Sequence, residues 1–299
     1  MDFRDRKPDR NPMVFELLAS GLGLRQTARV ARMTSRNTEM KFRKISRHLR
    51  RLNANLRQPL PPGATLQFDE FETYEANRIT RPLTLPLLIE RDTRCILAAR
   101  SAPIRPRGTK SPRRQRAIVE DEARLGRRPS RSRPAVYSVL RQGARLCDKL
   151  ATVVLETDEK ATYPELARRV FGQQRLAHTR TPGKLARTTA NPLFPINHTE
   201  AMARDLNGRL RRPSWLASKR RWFLNLQLHL HAAYRNFMRR RFNHDRQPPA
   251  QRLGWIPKPL TPRHLLSWRQ DWAQQSGHPL SPNARPIAAC IAEEPGGDG

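Results

Sequence analysis

The sequence predicts an α/β protein in which a helical N-terminal region precedes a mixed sheet flanked by helices. Three observations predict it. Apolar residues recur at helical spacing between Asn11 and Leu56; three short apolar and aromatic runs lie close together between Leu66 and Ser101; and a helix, another apolar strand and further helices follow. At 299 residues the chain can bury the core of one large domain or two modest ones.

In the N-terminal region, Val14, Leu17 and Leu18 give one apolar face, and Gly21 and Gly23 end that helix. A second short helix is expected from Leu24 to Ala31. After a turn at Met33 and Thr34, Ser35 can cap a third helix carrying Arg36, Lys41, Arg43, Lys44, Arg47, Arg50 and Arg51. This is the layout of a helix-turn-helix, with Arg32 at the turn position where glycine is common and Thr38 where a larger aliphatic residue is usual. A helical hairpin with a solvated basic face is the plainer alternative. Pro59, Pro61, Pro62 and Gly63 then break the pattern, so residues 1–62 read as a DNA-binding region plus linker.

Strands are expected over Leu66–Tyr74, Leu83–Glu90 and Cys95–Ser101, close enough for an antiparallel meander. Residues 103–134 are dominated by Pro, Ser, Gly and Arg and read as a mobile, disordered basic loop. Helix spacing returns over Ala135–Leu150. Thr152–Thr157 is an apolar strand, Tyr163–Phe171 a short helix ended by Gly172, and Leu176–Thr179 one more short strand. Helices are expected over His198–Arg212 and Ser218–Phe242. Three strands, a helix, a strand and further helices is the order of a ribonuclease H-like domain, placed at 63–245, with 246–299 a C-terminal helical segment and frayed tail.

The formal net charge is +32 at pH 7, which would destabilise a compact fold unless a polyanion shared it, so a nucleic acid is the expected partner. Arginine greatly outnumbers lysine, and its planar fork suits phosphate oxygens and guanine edges. The longest apolar run, Leu83–Ile89, is interrupted and far too short to span a bilayer. The charged N-terminus does not read as a signal peptide, which predicts a cytoplasmic, nucleoid-associated protein. Cys95, Cys147 and Cys290 are isolated, so neither a disulfide framework nor a zinc site is expected. His198, His229 and His231 are assigned to surface or packing roles.

Three acids stand out. Asp69 lies inside the first expected strand between Phe68 and Phe71, where a charge is costly without a partner. Asp158 ends a strand just before a helix, and Glu200 is placed in the first turn of a later helix, where the helix dipole favours negative charge. Mg²⁺ (or Mn²⁺) takes oxygen ligands, so three acids converging on one point would hold ions able to assist in-line displacement at a phosphodiester. Asp205 is the rival to Glu200, but it lies about 140° further round the helix and cannot share its site. Taken singly, Asp69 also fits an exposed edge strand, Asp158 a cap or turn residue and Glu200 a helix-start acid.

At these residues the sequence resembles the DDE transposases of small bacterial insertion sequences. The resemblance rests on LRQTARVARMTSRNTEMKFRKI, DEFETYE, TDEKATYPEL and NHTEAMARDLNGRLRRPSWLASKRR, spanning roughly residues 15–243. It implies that Asp69, Asp158 and Glu200 are the catalytic, metal-binding triad. The helix-turn-helix would then read terminal inverted repeats through Arg36, Asn37 and Lys41, with Arg43, Lys44 and Arg47 on phosphates. It further implies Mg²⁺-dependent strand cleavage and transfer into target DNA by a homo-oligomer. Residues 105–133 and Arg209, Arg211, Arg212, Lys219 and Arg220 would retain the strands. Trp215, Trp222 and Phe223 are either core contacts between helices or stacking platforms for an unpaired base. Such relatives often begin with a cysteine-rich zinc module that this sequence lacks, as a truncated or degenerate copy would. The alternatives are a non-catalytic DNA-binding protein, meaning a repressor or a transposase remnant, and an RNA-binding structural protein.

Overall fold

The computed structural model describes residues 5–107, 111–211, 215–242 and 244–268. In chain order its elements are α1 (Asn11–Ala19), α2 (Leu24–Val30), α3 (Ser35–Asn55), β1 (Thr65–Tyr74), β2 (Pro82–Glu90), β3 (Ile96–Ala99), β4 (Ala102–Pro103), α4 (Pro112–Leu125) and α5 (Ser132–Ala144). They continue with β5 (Val153–Asp158), α6 (Tyr163–Phe171), β6 (Leu176–Thr181), α7 (Phe194–Leu206), α8 (Arg221–Phe237), α9 (Pro249–Arg252) and α10 (Pro262–Ser267). Two compact units result, one formed by Met1–Arg57 with His229–Gly299 and the other by Gln58–Leu228, so the division falls within α8. Among the described residues no helix is long and apolar enough to cross a membrane.

The first unit is helical. Thr38, Phe42, Ile45, Leu49 and Leu52 repeat at three- and four-residue steps along α3 and are fully buried, which fixes the face it turns inward. Thr34 caps α3 by accepting the Asn37 amide at 3.2 Å, one residue before the cap expected at Ser35. Thr38 fits this interior because its hydroxyl bonds back to the Thr34 carbonyl at 3.0 Å. Between α2 and α3 the chain turns through Arg32 at φ +50°, a left-handed residue at the position the sequence marks as one for glycine. The Leu265 carbonyl of α10 bonds to His48 Nε2 of α3 at 2.7 Å, and Phe15 meets Tyr234 edge-on at 6.4 Å.

The second unit is a six-stranded mixed sheet in the order β3-β2-β1-β5-β6, with β4 added to β2. β1, β2 and β3 pair antiparallel, whereas β1–β5 and β5–β6 are parallel. Parallel neighbours need crossovers, supplied by α5 and α6, and every residue of β2 is buried. Leu66, Phe68 and Glu70 point to the face covered by α5 and α6: Phe68 packs edge-on against Tyr163 at 5.0 Å. On that face α5 approaches so closely that a Cβ on Gly143 would stand 2.2 Å from Leu88 Cδ2. Gln67, Asp69 and Phe71 point to the other face, where α7 lies against β1.

Within segment 103–134, which composition predicts to be a disordered basic insert, the described residues 111–134 are ordered. They contain α4, capped by Ser111 and tied to the sheet by Asp121, whose carboxylate meets Arg81 at 3.2 Å. Only Ile118 of this helix is buried, so an ion pair replaces the apolar face that sequence patterning looks for.

Candidate catalytic carboxylate site

β1 and β5 run parallel with Phe68 opposite Thr157. One residue further along, Asp69 and Asp158 stand on adjacent strands and on the same face, with backbones about 4.8 Å apart. The third acid is brought to this place by Gln67. Its buried side chain donates to the Pro192 carbonyl at 2.8 Å and to Glu156 at 2.7 Å, and it accepts the Ile196 amide at 3.0 Å. That amide is one of the unpaired donors in the first turn of α7, so Gln67 sets the helix on the strand. Two residues beyond Gln67, about 7 Å along β1, is Asp69. Four residues beyond Ile196, about 6 Å along the helix axis, is Glu200. Strand and helix run the same way, because Arg204 reaches the Glu72 carbonyl at 3.4 Å and lies 4.7 Å over the Phe71 ring. Asp69 and Glu200 therefore stand at one level.

The electrostatics agree. Burial, and after it the charge of Asp158, pushes the Asp69 carboxyl up from 3.8 to about 6. Burial and then Asp69 raise Glu200 well above the ordinary glutamate range, against the pull of Arg204 and Arg187. Glu200 is 6 % exposed and its Oε1 has no hydrogen-bond partner. Asp69 Oδ1 accepts the Glu70 amide at 2.6 Å, and Asp158 Oδ1 accepts the Lys160 amide at 3.0 Å. Crowded, poorly compensated oxygens of this kind suit a hard divalent cation. Among the described residues, however, no three His, Cys, Asp or Glu side chains are gathered closely enough to hold an ion as they stand.

Glu200 is not a first-turn residue: Pro195 lets α7 begin at Phe194, four residues earlier than the pattern suggests, so Glu200 sits in the second turn and the dipole argument for it lapses. Asp205 is exposed and its carbonyl, not its carboxylate, is bonded, by Arg211 at 2.8 Å.

Glu70, adjacent to Asp69 but on the opposite face, is the residue the sequence reading passed over. Its side chain is 4 % exposed and forms a close ion pair with Lys160. It also accepts hydroxyls from Thr84 and Ser132 at 2.8 Å and from Tyr163 at 3.0 Å. Burial, the largest single effect, works against the charge, but the bond and charge of Lys160 together with the Thr84 and Ser132 hydroxyls outweigh it and hold Glu70 below the ordinary range. The one available signal was a charge at position 70 in the alternate register of the apolar Leu66 and Phe68; nothing marked Lys160.

On the basic surface of the first unit, Arg36, Asn37 and Arg47 are exposed. Lys41 is not available for bases. It is 5 % exposed, and its ammonium is held by Asp5 at 2.9 Å and Asn11 at 2.7 Å because position 41 shares the inward face of α3 with Thr38 and Ile45. Arg43 pairs with Glu39, and Lys44 lies 3.8 Å from Asp5. In the second unit Lys219, Arg220 and Arg211 are exposed and Arg209 lies 5.3 Å over the Phe223 ring; Arg212 is outside the described residues, as is Cys290. Trp215 is 94 % exposed and so is no core contact, while Trp222 stacks on Phe223 at 4.4 Å.

No protein-family model matches the sequence, and no curated protein does. Among solved structures, the crystal structure of the catalytic domain of Mos1 mariner transposase is similar over 64 % of this chain and 86 % of that one, at 10 % identity. The TM-score is 0.24, too low to establish a shared fold.

Proposed function

We propose that this chain is a divalent-metal-dependent DNA strand transferase of the DDE transposase type, with a ribonuclease H-like catalytic unit. The observation that carries the reading is the level placement of Asp69, Asp158 and Glu200, fixed by the β1–β5 register and by the Gln67 bond to α7. The mixed sheet flanked by helices supports it, since an antiparallel three-strand meander within a mixed sheet is what the sequence leads one to expect.

Asp69, Asp158 and Glu200 would hold Mg²⁺ (or Mn²⁺), and the unpartnered Glu200 Oε1 is the atom that most requires such an ion. Bound divalent ions supply activation of the attacking hydroxyl and stabilisation of the leaving oxygen in an in-line displacement. The chain's own task is orientation: the Glu70 and Lys160 amides fix the two aspartates, and Arg187 and Arg204 offset charge at the site. The α1–α3 unit reads as a helix-turn-helix, with Arg36, Asn37 and Arg47 on the DNA of the element's inverted-repeat ends. Joining two ends to a target implies a homo-oligomer on DNA.

The second reading is a non-catalytic DNA-binding protein, a repressor or transposase remnant, favoured by the absence of a ready-made three-acid group among the described residues. Mn²⁺ titration followed by electron paramagnetic resonance, run beside cleavage of the DNA flanking the gene, separates the two. Saturable binding and cleavage, both lost in Asp69→Asn, Asp158→Asn and Glu200→Gln, support the enzyme. DNA binding without either favours the second reading.

A further inference from the structure

The turn joining β1 to β2 is unusually well fixed. The Asn77 side chain accepts the amides of Ile79 at 2.7 Å and Thr80 at 3.3 Å, and the Ala76 amide bonds to the Ser218 carbonyl at 2.8 Å while Ala76 takes a left-handed φ of +56°. Two arginines brace it from outside. Arg81 is paired with Asp121 at 3.2 Å, and Arg128 is paired with Glu75 at 3.0 Å while also bonding the Pro82 and Ile104 carbonyls. Each of these structural arginines has its own carboxylate.

Against this braced turn lies a groove of different character. Two adjoining hollows, of about 190 and 600 Å³, share Tyr74, Arg78, Ile79 and Arg114. Arg105 and Arg107 complete the wall of the smaller one. Arg78, Arg105, Arg107 and Arg114 thus line this groove together with the carboxylate of Glu72, which lies 3.8 Å from Arg107. Arg78, Arg105 and Arg107 are exposed and present charge to solvent, although Arg105 Nε also donates to the Arg128 carbonyl at 3.3 Å. Gathering like charges on a rigid turn is unfavourable unless an anion neutralises them. Guanidinium forks match phosphate oxygens two at a time, and Tyr74 offers a ring face among them.

We infer that this groove is a second nucleic-acid site, which holds the phosphodiester backbone of a DNA strand on the β1–β2 turn. Glu72 is three residues beyond Asp69 on β1, about 10 Å, so the site adjoins the strand that carries Asp69 and includes none of the three carboxylates. The inference deepens the strand-transferase reading by giving the catalytic unit its own hold on DNA, independent of α1–α3. An acidic protein segment is the competing occupant.

The test uses the full-length chain in EDTA, so that no metal chemistry is read. Affinity for a short fluorescein-labelled duplex is measured across a salt series. The variant Arg78→Ala/Arg105→Ala/Arg107→Ala should lower the slope of log K against log salt by about two to three, since each phosphate contact contributes about 0.9 for duplex DNA. The matching triple substitution to lysine, which keeps the charge, should restore most of it. Circular dichroism confirms folding; should the triple variant not fold, each single alanine variant should lower the slope by about one. An unchanged slope in folded variants overturns the inference, as does displacement of the DNA by polyglutamate that depends on these three arginines. A lowered slope in a protein that neither binds Mn²⁺ nor cleaves DNA leaves the groove standing and removes the enzyme reading.

Discussion

Asp69→Asn should make the protein more stable at neutral pH. The carboxyl is pushed from 3.8 to about 6, first by burial and then by Asp158. Between about pH 4 and pH 6 the folded protein therefore holds a proton that the unfolded chain has already released. Stability falls as pH rises through that window and stays lower above it. At about 1.4 kcal/mol per unit, the cost to the charged form is about 3 kcal/mol once both states are ionised. Asparagine removes the charge but keeps an oxygen for the Glu70 amide, which donates to Asp69 Oδ1 at 2.6 Å. Urea unfolding at about pH 7.5 should then show Asp69→Asn gaining up to about 3 kcal/mol, with little or no gain at about pH 4. Glu200 is raised in the same direction, so Glu200→Gln should behave alike. Millimolar Mg²⁺ should stabilise the wild type at neutral pH and the asparagine variant less, since ligand binding to the folded state raises its stability. An Asp69→Asn protein no more stable than wild type at neutral pH would refute the reasoning.

Other substitutions probe the frame. Glu70→Ala strips the charge partner from half-buried Lys160 and the acceptor from three hydroxyls, and should cost about 1–3 kcal/mol, whereas Glu70→Leu/Lys160→Met, which removes the stranded ammonium but not the stranded hydroxyls, should cost somewhat less; denaturant melts of both decide it. Gly143→Ala drives a methyl into Leu88 Cδ2 at 2.2 Å within a fully buried contact, so a loss of about 1–3 kcal/mol is expected, and the Gly143→Ala/Leu88→Ala double variant should lose less than the two single losses together. Lys41→Met should destabilise the protein by about 1–3 kcal/mol by taking the nearest cation from Asp5, which keeps Asn11 and the more distant Lys44, while Arg36→Ala and Arg47→Ala should change stability by less than about 0.5 kcal/mol and weaken duplex binding. Thermal melts and fluorescence anisotropy on the three variants distinguish the buried cation from the exposed ones.

The sheet was legible because β1 and β2 carry dense β-branched, leucine and aromatic runs bounded by prolines and turn residues, and α6 because Tyr163–Phe171 has a Pro at its start and Gly172 at its end. Asp69 and Asp158 could be picked out because each sits where a strand would favour an apolar or cap residue. Other features escaped for specific reasons. α4 buries one apolar residue and is held by Arg81 and Asp121, which lie far apart in the chain and show no periodicity. Lys41 was misplaced because a basic helix hides which of its cations lies on the inward face, although its spacing from Thr38 and Ile45 contained that information. The true start of α7 was concealed by Pro195, which ends helices from within but begins them from the first turn.

The pair Asp69–Glu70 gives the sharpest contrast in the second unit. The two acids are consecutive, so the period of the strand sends them to opposite faces. Toward α5 and α6 the fold surrounds Glu70 with an ammonium and three hydroxyl donors, and its carboxyl is held low. Toward α7 it gives Asp69 one backbone amide, and burial and then the charge of Asp158 push its carboxyl up. This is a chain with 58 lysines and arginines against 26 acids, so a cation for Asp69 was not scarce. Arg187 and Arg204 come near enough to be felt, yet Glu200 Oε1 still lacks a partner. A protein this rich in arginine that neutralises one acid fully and leaves its neighbour's cluster short of positive charge is organised as it would be if the missing charge came from a bound ion. That asymmetry, more than the identity of any one acid, supports the metal-dependent reading.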